Sequence, residues 1–408
     1  MAPVATKKHF ATGTALRRFT PAVLSELLLC FPQYLSRKKL TIPAANVADA
    51  RNMLYDSILD ACMAADIDPE LNRVLFMATQ LGNEEGWTLI QEEMEDRNIK
   101  AGFDPTPYTH HDLPLMTWLR RTLPDDEDIL EQSYARVRIH GKSAYRYYPP
   151  LQDLREKYKR PAGKVLKELR ESLAEHFTRD PDHKGVKVLD YEYDEEMWFL
   201  VRYPGQPVRP DAIGKDGEDE DVPYTPGQYD AVVYHKTYGD LRLNTVRAAD
   251  HKRYRMAFGH ALMGESNVFD PETEIITLAP LKTECLHLFA VQDAGEFPRV
   301  QPSEVCFNDL HVPGRRITWR VDHKDAHLLH YPTGTNAKRL LPETTDTIHY
   351  AKFRYRLNAN DAWHSMTVHQ GSDLRFDRDG DSAVLERWLR ERGFIVDVFK
   401  NKKSGKSH

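Results

Sequence analysis

The sequence has too few cysteines for a disulfide framework and no apolar run long enough to cross a bilayer. Small secreted scaffolds depend on dense cysteine pairs, whereas a chain of 408 residues buries a core large enough to be stable without them. No segment approaches the roughly 20 consecutive apolar residues of a membrane-spanning helix. The four cysteines are far apart and include no CxxC pair: Cys30, Cys62, Cys285 and Cys306. These absences predict a globular, soluble, cytoplasmic protein that does not enter a membrane.

The common nucleotide-binding and hydrolase motifs are also absent. The sequence contains no GxxxxGK phosphate loop, no GxGxxG, no GxSxG and no HExxH. Its charges are nearly balanced, since 56 basic and 62 acidic residues give a net charge of −6. A small nucleic-acid-binding domain is usually strongly basic, so a nucleic-acid site in this chain must be a local patch.

The two ends of the chain and one internal loop are predicted to lie outside the folded domains. Residues 1–22 carry basic and no acidic side chains, but they lack the apolar core of a secretory signal. We interpret them as a basic N-terminal arm, with a transit peptide as the alternative. Residues 400–408 form a polar basic tail, and residues 211–222 form an acidic, glycine-containing loop in solvent.

Apolar side chains recur at helical spacing over residues 23–180, which predicts an N-terminal helical domain. One apolar stripe runs from Leu71 to Leu81 and ends at Gly82, a residue suited to the left-handed conformation after a helix. Another stripe lies within residues 160–177 and begins beside a proline, which favours the first helical turn.

Near residue 180 the pattern changes to short apolar runs and to alternation, which predicts a β-rich domain over residues 186–399. One inserted helix is predicted at 247–262 and one C-terminal helix at 383–392. Strands are predicted at residues 186–193, 197–203, 229–235, 240–245, 274–278, 316–321, 349–357 and 363–369. The predicted fold class is α+β, with an N-terminal helical domain followed by a mainly antiparallel β-sheet domain that carries these two helices.

The most motif-like segment is RFDRDGDSAVLERWLRERGF, at residues 375–394. Asp377, Asp379 and Asp381 suggest a metal or phosphoryl-transfer site, but Gly380 falls at the wrong position for a calcium-binding loop. The same residues fit the start of a helix, because the glycine makes a turn and a carboxylate caps the first helical N–H groups. We therefore interpret the aspartates as the start of the C-terminal helix.

A histidine group offers a second possible metal site. His323, His327 and His330 have the spacing of one helical face and would present three imidazoles to Zn²⁺. The following Pro332 and Gly334 limit any helix here, and a chain with 18 histidines contains chance groupings. We predict no metal site from these residues.

One predicted hairpin carries residue types that restriction-type nucleases use to hold Mg²⁺ between an aspartate and an E-x-K strand. Here Tyr234 stands where the second carboxylate is needed, so an acid from residues 192–196 would have to supply it. The alternative function is therefore a metal-dependent nuclease or phosphodiesterase with Mg²⁺ as cofactor, although a purely structural hairpin is favoured. Its catalytic residues would be Asp230, His235, Lys236, Glu192 and Glu196.

Cations concentrate on two predicted elements of the C-terminal half. Four basic residues in and around the inserted helix stand against one acid, Asp250. In HYAKFRYRL, at residues 349–357, alternation places the basic side chains on one face and the apolar ones on the other. Phosphates, an acidic partner protein or the chain's own acidic loop would each complement such a face. The predicted binding residues are Arg242, Arg247, Lys252, Arg253, Arg255, Lys352, Arg354 and Arg356.

From these features we expect a non-catalytic cytosolic binding component. It would contact nucleic acid or an acidic protein partner through the basic surface of its C-terminal half, without a cofactor. The metal-dependent nuclease is the competing enzyme class, and a structural subunit of a multiprotein assembly is a further alternative.

Overall fold

The fold is α+β, as predicted, with N-terminal helices, a ten-stranded antiparallel sheet and a C-terminal helix. The chain forms two compact units, Met1–Arg138 and Ile139–His408. The computed structural model describes residues 13–41, 56, 59, 61–62, 67–121, 129–140, 142–177, 185–193, 195–206, 211–213, 219–221, 227–283, 298–309, 312, 314–321, 347–358, 360–371, 373–376 and 382–399. No helix in these ranges is both long and apolar enough to span a membrane.

The first unit is helical. In the helix Pro69–Leu81, the side chain of Asp68 accepts hydrogen bonds from the N–H groups of Glu70 and Leu71, and Pro69 occupies the first turn. These two residue types favour a helix start, so the local sequence determines where this helix begins. The described helices are α1 (Gly13–Leu16), α2 (Pro21–Leu29), α3 (Pro32–Lys38), α4 (Pro69–Leu81), α5 (Glu84–Asp96), α6 (Asp112–Leu119) and α7 (Ile129–His140), the last of which ends just inside the second unit.

The N-terminal residues differ from the predicted basic arm. Residues 1–12 lie outside the described residues, but α1 follows them and Leu16 and Phe19 are buried. The N–H group of Thr20, which precedes α2, donates to the buried carboxylate of Asp112 at 2.8 Å. Residues 13–22 therefore belong to the helical unit, because their apolar side chains pack in its core.

The second unit contains the sheet, whose strands are β1 (Ala144–Tyr148), β2 (Lys187–Tyr193), β3 (Glu196–Pro204), β6 (Gly227–His235), β7 (Leu241–Asn244), β8 (Arg299–Asn308), β9 (Arg316–Arg320), β10 (Ile348–Arg356), β11 (His364–His369) and β12 (Asp373–Phe376). Their order in the sheet is β2-β3-β6-β7-β1-β12-β11-β10-β8-β9, and every adjacent pair is antiparallel. Its helices are α8 (Gly163–Phe177), α9 (His251–Met263), α10 (Pro280–Thr283) and α11 (Ser382–Glu391), with 3₁₀ turns at Arg155–Lys157 and Ala248–Asp250.

Strand pairing determines which side chains share a face, because directly paired residues of antiparallel strands point to the same side. We call the side on which α8 and α9 pack the front face, and the opposite side the back face. On the front face, Val201 and Val232 share one apolar core with Leu173 of α8 and with Tyr254 and Phe258 of α9.

The unit boundary lies earlier than the predicted one near residue 180. Helix α8 belongs to the sheet unit, because Leu169, Leu173 and Ala174 pack in the same core as the sheet residue Phe199. Strand β1 was not predicted, yet it occupies the middle of the sheet between β7 and β12. The predicted strand at 274–278 is not a strand: Ile276 makes only isolated bridges, to Gly371 and Ile395.

Part of the predicted acidic loop forms a small ladder. Asp211–Ile213 (β4) pairs antiparallel with Asp219–Asp221 (β5), and the rest of 211–222 lies outside the described residues, as does the predicted tail 400–408. This ladder is separate from the ten-stranded sheet.

Candidate nucleic-acid interface

The front face of strands β1, β12, β11, β10, β8 and β9 is strongly basic. Eight cations and two acids project from these strands on this side, which leaves an excess of six positive charges in a chain whose net charge is −6. We call this surface the basic sheet face. Its cations are Arg146, Arg299, Arg316, Arg320, Lys352, Arg354, Arg356 and Arg375, and its acids are Glu304 and Asp373.

The strand register assigns these residues to one side. Lys352 pairs with Thr367 of β11, which pairs in turn with Arg375 of β12. On the other flank of β10, Lys352 pairs with Glu304, which pairs with Arg320 of β9. One row of paired residues therefore crosses β12, β11, β10, β8 and β9 and carries three of the cations.

The two sides of this part of the sheet differ sharply in burial. On the back face Phe353, Met366 and Leu374 are fully buried. On the front face Arg146 and Arg375 are exposed, as are Arg316 and Arg320, and the remaining four cations are half-buried. The predicted alternation along β10, with Lys352, Arg354 and Arg356 on one face and apolar side chains on the other, is confirmed.

Glu304 is the acid with the most contacts on this face. Its carboxylate lies 3.0 Å from Lys352 Nζ and 3.9 Å from Arg320 Nε, and it accepts a hydrogen bond of 2.7 Å from the Tyr350 hydroxyl. Burial alone would raise the pKa of Glu304, but the hydrogen bonds from Tyr350 and Lys352 outweigh it, and the pKa is lowered. Glu304 is therefore ionised at neutral pH, where it pairs with two cations and orients the Tyr350 ring.

Two histidines beside this face have pKa values that burial and the neighbouring arginines lower. The pKa of His369 is lowered by burial and by Arg375, against an opposing effect of Asp373. Burial and Arg316 lower the pKa of His349 in the same way. These imidazoles are neutral at pH 7, so the face keeps its charge through arginine and lysine alone.

Aromatic rings lie among the cations. The guanidinium carbons of Arg356 and Arg354 are 5.0 and 5.9 Å from the centre of the Trp363 ring, and Lys352 Nζ is 5.7 Å from the Tyr350 ring. These are cation–π distances, and both rings are half-buried. Cations for phosphate and rings for stacking are the two components that nucleic-acid-binding sheets combine.

The predicted cations of α9 do not share one surface. Arg255 extends the basic sheet face, because its guanidinium lies 5.0 Å from the ring of Tyr148, which Arg146 approaches from 6.0 Å. Arg253 instead donates to the carbonyl of Ser172 in α8 at 3.3 Å. The two arginines leave the helix about 200° apart, as expected for two positions at 3.6 residues per turn.

The other two predicted cations near this helix are exposed. Arg247 precedes α9 and forms an ion pair with Asp250 at 3.3 Å, so a carboxylate of the chain partly compensates its charge. Lys252 is exposed on the first turn. Neither lies on the strands of the basic sheet face.

Arg242 does not belong to any basic surface. Its side chain is fully buried on the back face, where it pairs with Glu196 at 2.6 Å, Glu386 at 2.6 Å and Asp240 at 3.0 Å. A second buried guanidinium, that of Arg390, lies 2.8 Å from Asp240 and 3.1 Å from Glu386. We call these five residues the buried ion network. Arg242 was predicted as a contact residue, and its burial excludes that role.

The five residues of the nuclease alternative do not converge on one site. Asp230 is fully buried on the front face and accepts hydrogen bonds from the Val246 N–H at 2.7 Å and the Tyr254 hydroxyl at 2.8 Å. Burial raises its pKa. Glu192 lies four strand positions away in the register, about 13 Å along the strand, where Lys236 binds it at 2.8 Å.

The two remaining nuclease candidates face the other side of the sheet. Glu196 and His235 pair with each other across β3 and β6 on the back face. Glu196 is already bound to Arg242, and burial lowers the pKa of His235. Within the described ranges, no group of three or more His, Cys, Asp or Glu side chains is placed to hold a metal ion.

Two predicted motifs fall outside the described residues. The histidine group at 323, 327 and 330 lies there, and so do the aspartates at 377, 379 and 381. The helix predicted after those aspartates is present as α11.

The sequence patterns missed five cations of the basic sheet face. Four of these cations lie on strands of four or five residues, the fifth lies on the proline-containing strand β8, and three of the four strands that carry them were not predicted. A signal was present, because RITWR alternates cations with apolar residues and AYRYY places one arginine between tyrosines. The missed cations are Arg146, Arg299, Arg316, Arg320 and Arg375.

No protein-family model matches this chain, and no curated protein matches its sequence.

Proposed function

We propose that this protein is a non-catalytic component that binds nucleic acid through the basic sheet face. The observation that supports this most directly is the excess of six positive charges on one side of six adjacent strands, within an acidic chain. This concentration of cations gives the face a positive potential, and a phosphate backbone supplies anions at regular spacing.

Nucleic acid is favoured over an acidic protein by the aromatic rings. An acidic protein surface would pair with the cations, but the placing of Tyr350 and Trp363 beside Lys352, Arg354 and Arg356 matches a ligand that carries phosphates and bases on one chain. Nucleic acid uses both components, since its phosphates pair with cations and its bases stack on rings. An acidic protein partner remains an outcome of the test below.

We also propose a reducing, cytosolic setting. Cys30, Cys62 and Cys306 are free thiols, and burial raises the pKa of Cys62 to about 12, which keeps that thiol protonated and unreactive.

The test compares two double variants that remove equal charge. Arg146→Gln/Arg375→Gln removes two exposed cations from the basic sheet face. Lys164→Gln/Lys167→Gln removes two exposed cations from the solvent side of α8, where each faces a glutamate one turn away. Binding of labelled DNA and RNA oligonucleotides is measured by fluorescence anisotropy in EDTA, at several salt concentrations.

We expect the arginine variant to bind at least about tenfold more weakly at 50 mM salt. For a single strand, the slope of log K against log salt should become shallower by about 1.4, which is two lost phosphate contacts. The lysine variant should match the unmodified chain. Equal binding by all three proteins would refute the assignment of this face.

The alternatives are distinguished by companion experiments: polyglutamate as the ligand, the same oligonucleotides with Mg²⁺ in place of EDTA, and size-exclusion chromatography. Salt-sensitive binding to polyglutamate, with no binding to DNA or RNA, would indicate an acidic protein partner. Cleavage that requires Mg²⁺ would indicate the nuclease. No binding together with a stable oligomer in size-exclusion chromatography would indicate a structural subunit of an assembly.

A further inference from the structure

We infer that the nucleic acid bound by the basic sheet face is single-stranded, and that its bases stack on Tyr350 and Trp363. This inference rests on the proposed function and adds the class of ligand. It follows from where the two rings lie, with Tyr350 on β10 and Trp363 just before β11, from how they are held, and from what lies between them.

The two rings lie near opposite ends of β10. Tyr350 is near the start of β10, and Trp363 directly precedes His364, which pairs with Tyr355 near the end of β10. Trp363 therefore lies beside Arg356, in agreement with the 5.0 Å distance from that guanidinium to its ring. The rings are about six strand residues apart, or about 20 Å.

Three cations fill the interval between the rings. Lys352, Arg354 and Arg356 occupy alternate positions of β10, so they point to the same side at intervals of about 7 Å. A chain of phosphates that follows β10 would meet a cation at each step and an aromatic ring at each end. The span suits a few nucleotides, within the range of about 4–16 that single-strand-binding folds cover.

The rings are held in place before any ligand binds. The Tyr350 hydroxyl donates to Glu304 at 2.7 Å, and the Tyr350 ring lies 5.8 Å from His369 at an angle of 47°. Trp363 is flanked by two guanidinium groups, which themselves provide planar surfaces for a base. Rings fixed in this way lose little conformational entropy when a base stacks on them.

A duplex cannot use this arrangement. Its bases are stacked on one another, so only their edges are accessible, and proteins that read those edges insert a helix or a ribbon into a groove. A broad strand face with half-buried rings instead offers stacking positions to bases that are already unpaired.

The experiment compares three ligands of equal length: an oligothymidylate, the same backbone without bases, and a duplex. The backbone without bases carries the same charge as the oligothymidylate, so the difference between the two isolates stacking. The proteins are the unmodified chain, Trp363→Leu, Tyr350→Leu, and Trp87→Leu as a control for loss of a half-buried tryptophan in the helical unit. Tyr350→Phe keeps the ring and removes only its hydrogen bond to Glu304.

We expect the unmodified chain to bind the oligothymidylate at least about tenfold more tightly than the backbone without bases, and more tightly than the duplex. Trp363→Leu and Tyr350→Leu should each lose about tenfold on the oligothymidylate and nothing on the bare backbone. Tyr350→Phe and Trp87→Leu should keep most of the affinity. Circular dichroism of each variant would check that it is folded before its affinity is interpreted.

Two outcomes would overturn the inference, and they are distinguishable. Salt-sensitive binding that is equal for all three ligands, and unchanged in the ring variants, would leave the proposed function intact and remove the stacking role. No salt-sensitive binding to any of the ligands would remove the proposed function itself, and the inference with it.

Discussion

Replacing Arg242 with methionine should destabilise the sheet unit by about 3–5 kcal/mol, the typical cost of removing one partner from a buried ion pair. The guanidinium of Arg242 is shared by three carboxylates, those of Glu196, Asp240 and Glu386, at 2.6 to 3.0 Å. All four side chains are buried. Methionine fills much of the volume but leaves the three carboxylates with Arg390 as their remaining cation in the network.

The chain has two compact units, and a global unfolding curve would combine the stabilities of both. Hydrogen exchange measured by mass spectrometry is the appropriate assay, because it reports the opening of each segment separately. Peptides from β3 and β7 report opening of the sheet around the network. A loss of 3–5 kcal/mol corresponds to exchange that is faster by roughly 100- to 5,000-fold at these amides.

A second variant tests the electrostatic cause. Arg242→Met/Glu196→Leu removes one carboxylate as well, so it should be more stable than the single variant although it carries more changes. Lys164→Met, which removes an exposed cation 3.7 Å from Glu168, should change stability by less than about 0.5 kcal/mol. A cost below about 1 kcal/mol for Arg242→Met, or no recovery in the double variant, would refute this reasoning.

Two further predictions concern pH and packing. Burial lowers the pKa of His235, so the stability that its neutral form contributes is present above the unfolded pKa near 6.5 and is lost as the pH falls towards the folded pKa. His235→Gln should therefore make the thermal midpoint less dependent on pH between 7.5 and 5.5. An unchanged pH dependence would contradict this. Gly259→Ala should cost about 1–3 kcal/mol, because the added Cβ would meet the Glu265 carbonyl oxygen at 2.7 Å, whereas at Gly163 it would meet nothing within 4 Å. Gly163→Ala should therefore be neutral or stabilising when the free energy of unfolding of both variants is measured by chemical denaturation, and equal costs would contradict the packing argument.

The elements with a strong local pattern were predictable. The helix at Pro69–Leu81 has a capping aspartate, a proline in its first turn and a regular apolar stripe, all visible in the sequence. The strand at Gly227–His235 contains an apolar run whose residues lie in the sheet. In both cases the signal lies within the element itself, so no distant partner is needed to recognise it.

The missed strands have a weaker local signal, or one that a proline contradicts. Strand β8 contains Pro302, which normally argues against a strand with partners on both sides. The register with β10 shifts between Lys352 and Phe353, and this irregularity accommodates the proline. Strands β1 and β12 are short, at five and four residues, and they exist because they pair with each other and with β7 and β11.

The residues of the candidate site were also predictable only where the pattern is local. Alternation in the segment at residues 349–357 correctly placed Lys352, Arg354 and Arg356 on one side, because that pattern is local. Arg242 was also predicted to be a binding residue, and its burial shows that this was wrong. Its partner Glu386 lies on a helix near the other end of the chain, so no short window of sequence contains the reason for its burial.

The position of β1 has a consequence for synthesis of the chain. The earliest strand of the sheet lies in its centre, and one of its two neighbours, β12, is the last strand among the described residues. During translation, β1 can pair with β7 while its other edge still lacks its partner, until nearly all of the sheet has emerged from the ribosome. Because long-range pairing slows folding and an open strand edge invites pairing with other chains, we expect the unfinished protein to need protection at this edge.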